Sequence, residues 1–158
     1  TWYWYRFHAG DAVSPVGRTR TFPAPGATSQ RMRFAFASCQ HFEDGLYTAY
    51  DAMARDDPDF VAFLGDYIYE GAGRAGLVRR HVGPKLNTLA DYRVRYAQYR
   101  TDPLLRRMHA QCPWIVTWDD HEVENNYAGA VSARRDADPA AFLRLRAAAY
   151  QAYYEAMP

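Results

Sequence analysis

The chain has 158 residues, with 19 Lys+Arg against 18 Asp+Glu and a formal net charge of +1. That length can bury one real core, and the near-neutral balance gives no electrostatic footprint for nucleic acid or an anionic membrane surface. No apolar run approaches the roughly 20 residues of a membrane span, and two cysteines, Cys39 and Cys112, are too few for a disulfide scaffold. The aromatic share of 16%, with 13 Tyr and 4 Trp, argues against disorder.

Residues 2–7, WYWYRF, have the aromatic density of a β-strand. Residues 11–26 carry Ser14-Pro15, Gly17, Pro23 and Pro25-Gly26, which is loop chemistry. Arg18, Thr19 and Arg20 have room to pair only briefly, because the prolines limit any strand there. Residues 1–26 therefore read as the end of a preceding β unit and a linker, and residues 27–158 as the main unit. In that unit, residues 32–37 form a short apolar strand ending in Ser38-Cys39-Gln40. Residues 45–55 carry Leu46, Tyr47, Tyr50 and Met53 at helical spacing. Residues 59–64 are a second buried strand, stopped by Gly65-Asp66, and glycines at 71, 73, 76 and 83 mark a long excursion.

Thr88 starts a helix with Tyr92, Tyr96 and Tyr99 on one face, a pattern that reads as core rather than a ligand-stacking stripe. Asp102-Pro103 opens another helix toward His109, with proline in the first turn. Residues 113–118 are a third strand closed by Asp119-Asp120-His121, with Cys112 a structural residue at its start. Asp138-Pro139 caps a long Ala/Tyr-rich helix to about Ala156. Near-continuous apolar strands alternating with helices indicate an α/β fold, with a mostly parallel sheet covered on both faces.

The chemistry falls at one edge. Cys39, Asp66 and the run Asp119-Asp120-His121-Glu122 each follow the C-terminal end of an expected strand, where open α/β sheets bind ligands. Carboxylates clustered this closely repel one another, and a bound cation offsets that repulsion. Three readings share these residues. They are a metal-dependent enzyme, a non-catalytic module with a structural calcium site on residues 119–122, and a thiol enzyme with Cys39 as nucleophile and His121 as base. The thiol reading leaves Tyr69 and the extra carboxylates without a role.

Ser38-Cys39-Gln40, Gly65-Asp66-Tyr67-Ile68-Tyr69-Glu70 and the string WDDHEVENNY at 118–127 resemble the PhoD family of alkaline phosphatases, within the calcineurin-like metallophosphoesterase superfamily. The similarity extends through VSPVGRTRT at 13–21 and TLADYR at 88–93. It implies part of a metallophosphoesterase-type α/β sandwich, preceded by the last strand of a β-sandwich domain. It implies hydrolysis of phosphate monoesters or diesters by metal-bound hydroxide, with a small phosphate ester as substrate. By resemblance, Cys39 takes the position where most of the superfamily has Asp-x-His, Asp66 bridges the metals, and Tyr69 is an iron-binding phenolate. Asp120 is a ligand of the second metal position. His121 contacts phosphate and is the candidate proton donor. Asp119, Glu122 and Asn125 are further candidate cation ligands. The implied cofactors are Fe3+ and Ca2+; thiolate, phenolate and carboxylate suit a ferric ion, and the oxygen-rich positions suit calcium. The implied location is secreted, periplasmic or cell-surface. Nothing after Tyr127 matches the family's later ligand motifs. The chain is therefore expected to be the N-terminal half of a truncated catalytic domain, inactive alone.

Overall fold

The computed structural model describes residues 1–28 and 31–157. Ser29, Gln30 and Pro158, which fall in the expected unit 27–158, lie outside the described residues. The protein is a mixed α/β structure. A parallel sheet is built from β5 (Phe34–Ala37), β6 (Phe60–Phe63) and β7 (Trp114–Val116) in the order β5-β6-β7. The register sets Ala35 beside Val61 and Trp114, and Ala37 beside Phe63 and Val116. Neighbours in a ladder share a face, so these six side chains form one apolar surface. Helices α1 (Ala49–Arg55) and α3 (Pro103–Gln111) pack together and bring Tyr50, Ala54, Leu105 and Met108 into the same core. Trp114 donates its indole N–H to the Met108 carbonyl at 3.3 Å, which fixes α3 on the sheet.

The other face is different from the expectation. Phe34, Phe36 and Ile115 point away from the helices and are 53%, 68% and 48% exposed. Continuous apolar strands signalled two covered faces, but among the described residues the helices cover one. Helices α2 (Leu89–Tyr99) and α4 (Pro139–Ala156) pack on each other beside the core, and Tyr92, Tyr96 and Tyr99 are all buried, as their spacing implied.

The helix starts are encoded locally. Thr88 Oγ1 accepts the Asp91 N–H at 3.2 Å while the Asp91 carboxylate accepts the Thr88 N–H at 2.9 Å, a reciprocal capping box. Asp102 and Asp138 each accept two N–H groups of their own first turn, with proline at the next position. Cys112 is buried at the end of α3.

Residues 1–28 are less loop-like than their prolines suggested. Strand β1 (Trp2–Tyr5) pairs antiparallel with β4 (Gly17–Arg20), and β2 (His8–Ala9) pairs with β3 (Ala12–Val13) around Gly10. Pro15 and Pro23 flank β4 without interrupting it. Arg18 donates to the Gln111 carbonyl at 2.7 Å and pairs with Asp57, and Arg20 pairs with Asp59. Both guanidinium groups lie over the Trp2 ring, at 4.2 and 5.0 Å. The strand forms because its charged side chains find partners on the α/β unit.

Candidate metal centre

Two crossing loops shape the site. Gly65 follows β6 with φ +109°, and a Cβ there would lie 2.6 Å from both Cβ and backbone N of Asp119. Only glycine lets the loops after β6 and β7 pass this closely. Asp66 and Cys39 also have positive φ, at 57° and 56°. The Cys39 N–H donates to the Gly65 carbonyl at 3.1 Å, and Gln40 N–H to the Asp66 carbonyl at 3.2 Å, tying the loop after β5 to the same edge.

Asp66, Asp120 and His121 each offer a ligand atom, and these three atoms lie within 4.8 Å of one another. The Tyr69 hydroxyl donates to Asp66 Oδ2 at 3.2 Å, and the His121 N–H approaches Asp66 Oδ1 at 3.4 Å. The rings of Tyr69 and His121 pack with centroids 4.1 Å apart. His121 Nδ1 is 2.8 Å from Glu70 Oε2, and the other Glu70 oxygen accepts the Asn125 N–H at 3.1 Å. Asp120 accepts the Asn126 N–H. Beside Asp120 a cleft of about 290 Å³ opens, lined by Trp118, Asp119, Asp120, Tyr127, Gly129 and Tyr150.

The electrostatics are those of crowded anions. Burial raises the Asp66 carboxyl, with the Asp120 charge adding to it and His121 opposing. Burial also raises the Tyr69 hydroxyl, reinforced by Asp66 and Cys39. For His121, burial pulls the imidazole down, but the Glu70 hydrogen bond and the charges of Glu70, Asp66 and Asp120 outweigh it, so the net shift is upward. A cation among these groups reverses the first two shifts and relieves the mutual repulsion. The donor set of thiol, phenol and carboxylates therefore fits bound metal.

The sequence-derived residues separate into groups. Asp66, Tyr69, Asp120 and His121 come together, and Cys39, exposed, is tied to the same edge through its backbone N–H on the Gly65 carbonyl. Asp119 is exposed on the cleft wall, and Asn125 is exposed and reaches the site through its backbone N–H. Glu122 is turned inward and 1% exposed. Its carboxylate accepts the N–H groups of Asp66 at 3.1 Å, Asp119 at 3.0 Å and Tyr67, so its oxygens hold the two loops in position. Burial pushes its carboxyl up to about 7 against those three donors. Two contributors were missed. Glu70 stood inside the motif string, and its buried position against His121 was not legible from spacing. His41 packs on Tyr69 with ring centroids 4.4 Å apart, and only its nearness to Cys39 could have flagged it.

A family model described as PhoD-like phosphatase matches residues 34–158. The chain belongs to the PhoD-like phosphatase family. It is 55% identical over 161 residues to alkaline phosphatase D of Bacillus subtilis (strain 168), covering 99% of this chain and 27% of that relative. It also superimposes on a solved structure described as the structure of PhoD, with a TM-score of 0.92 and 54% identity, over 99% of this chain and 31% of that one. The chain thus spans about a third or less of the length of the PhoD relatives it matches. Among the described residues no helix is long and apolar enough to cross a membrane.

Proposed function

We propose that Cys39, Asp66, Tyr69, Asp120 and His121 form part of the metal-dependent active site of a phosphate-ester hydrolase acting on monoesters or diesters. One observation carries this reading: the ligand atoms of Asp66, Asp120 and His121 converge within 4.8 Å at the C-terminal edge of the parallel sheet, in a chain of the PhoD-like phosphatase family. Cys39, Tyr69 and Asp66 would hold a ferric ion, and Asp66 and Asp120 a neighbouring calcium. When bound, such ions neutralise phosphate charge and make water a better nucleophile.

The chain's own residues do the rest. Glu70 fixes the His121 ring through Nδ1, leaving Nε2 to face substrate. The Glu70 carboxylate on Nδ1 favours the protonated ring, and His121 delivers a proton to the departing alkoxide. Glu122 holds the backbone of Asp66, Tyr67 and Asp119, so that Asp66 and Asp120 stay at fixed separation. The structural-calcium alternative loses a ligand, because the Glu122 oxygens already serve three N–H groups. The thiol alternative leaves Tyr69 and the clustered carboxylates of Asp66 and Asp120 without a role. An extracytoplasmic location goes with the phosphatase reading, and residues 1–26 read as the end of a preceding β domain. The 158 residues alone are expected to hold metal weakly and to show little turnover.

The leaving group tests the role of His121. In the intact protein, His121→Ala is expected to lose roughly 100-fold or more in kcat on an alkyl phosphate, whose oxygen needs a proton. The loss should be smaller on p-nitrophenyl phosphate, whose leaving group departs as a stable anion. Equal small losses on both substrates would exclude His121 as the acid.

A further inference from the structure

We infer that His41, Glu43 and His81 form a second cation site, separate from the Asp66 group, that takes a zinc-like divalent metal in exchange for the Arg74 side chain. Their ligand atoms lie within 4.8 Å of one another, and no residue is shared with the cluster of Asp66, Asp120 and His121. Two imidazoles and one carboxylate are a donor set suited to zinc.

The second observation is an orphaned nitrogen. His81 is buried with its side chain wholly out of solvent, and its Nδ1 has no hydrogen-bond partner. That nitrogen faces Glu43 Oε2 at 3.5 Å. Two ligands bound about 2.0–2.1 Å from a tetrahedral zinc lie about 3.4 Å apart, so the spacing matches a shared metal. The opposite nitrogen, Nε2, sits 3.0 Å from the Tyr99 hydroxyl, which also accepts the Phe42 N–H at 3.1 Å. With Nε2–H donating to Tyr99, the Nδ1 lone pair is left free and the ring is fixed, the usual arrangement behind a metal-bound histidine.

A cation already stands there. Arg74 Nε is 3.1 Å from Glu43 Oε2, and Arg74 Nη2 lies 3.4 Å from both nitrogens of His41 and 2.8 Å from Asp44 Oδ1. The Arg74 side chain is 54% exposed, so its tip can leave without opening the core, whereas Glu43 is 1% exposed and stays. The Glu43 position is secured independently, because Oε1 accepts the N–H groups of Arg74 at 2.8 Å and His81 at 3.0 Å. Asp44, exposed at the rim, is available as a fourth ligand. Metal here would clamp the glycine-rich segment that carries Arg74 and His81 onto the loop after β5. The His41 ring is one contact from Tyr69.

The test is Zn2+ stoichiometry and affinity by equilibrium dialysis with elemental analysis, on the intact protein at neutral pH. The unmodified protein should bind one more equivalent than His41→Gln or His81→Gln. Arg74→Gln should bind that equivalent at least 10-fold tighter, because the competing cation is gone. Should His81→Gln fail to fold, His41→Gln at its half-buried position decides the matter alone. Retention of the equivalent in a folded histidine variant, or an unchanged or weaker affinity in Arg74→Gln, overturns the proposal.

Discussion

Glu122→Gln separates a brace from a ligand. The native carboxylate accepts three backbone N–H groups, from Asp66, Tyr67 and Asp119, and two of these residues are buried. Glutamine keeps one acceptor oxygen, so its amide NH2 is forced against at least one of the remaining N–H donors. Leaving a buried donor without an acceptor costs about 1–3 kcal/mol, and the lost charge assistance adds to this. A local penalty of about 3 kcal/mol accelerates opening of the loop on the order of 100-fold. Hydrogen exchange of the Tyr67 amide, measured in metal-free protein, reads that opening directly. Metal affinity should fall as well, because Asp66 is no longer held, although Glu122 touches no ion. Unchanged Tyr67 protection together with lost metal would refute the reasoning and make Glu122 a ligand.

Glu70→Gln should lower kcat by about 10- to 100-fold with little change in KM, since it misorients His121 without touching substrate; steady-state kinetics on an alkyl phosphate checks this. Gly65→Ala combines positive φ with a 2.6 Å approach to Asp119, and should cost more than about 2 kcal/mol and metal binding with it, as seen by denaturant unfolding and metal content. His109 is stacked on Trp114 with its Nε2 2.8 Å from the Tyr67 hydroxyl, and burial with the Arg100 charge depresses its imidazole to about 2. The unfolded chain takes up that proton near pH 6.5 while the folded chain refuses it. Stability is therefore full above pH 6.5 and falls by about 1.4 kcal/mol per unit as pH drops toward 2. The gap between the urea midpoints at pH 7 and pH 5 should narrow in His109→Gln, with His81, depressed to about 4, keeping the remainder.

The parts of the fold that were legible depend on local chemistry. The three apolar runs became β5, β6 and β7, and the Asp-Pro pairs at 102–103 and 138–139 became helix starts, because strand burial and capping are written in adjacent residues. Strand β4 was legible only as a brief pairing at Arg18–Arg20, because Gly17–Arg20 is polar and flanked by prolines; its stability comes from Asp57, Asp59 and Gln111, which are distant in sequence. The uncovered face of Phe34, Phe36 and Ile115 was equally illegible, since an apolar residue looks the same whether or not something packs on it. At the site, positions after strand ends brought Cys39, Asp66, Asp120 and His121 to one edge. The inward turn of Glu122 and the Glu70–His121 pairing were set by backbone geometry at Gly65 and in the 120–124 turn, which spacing alone does not encode.

The central claim is that Cys39, Asp66 and Tyr69 hold metal for phosphate-ester hydrolysis. Elemental analysis of the intact protein, purified in parallel with Cys39→Ser, Asp66→Asn and Tyr69→Phe and assayed for phosphatase turnover, tests it most directly. The account predicts iron and calcium in the unmodified protein, loss of iron in all three variants, and a matching loss of turnover. Full metal content with full turnover in folded Asp66→Asn would contradict it.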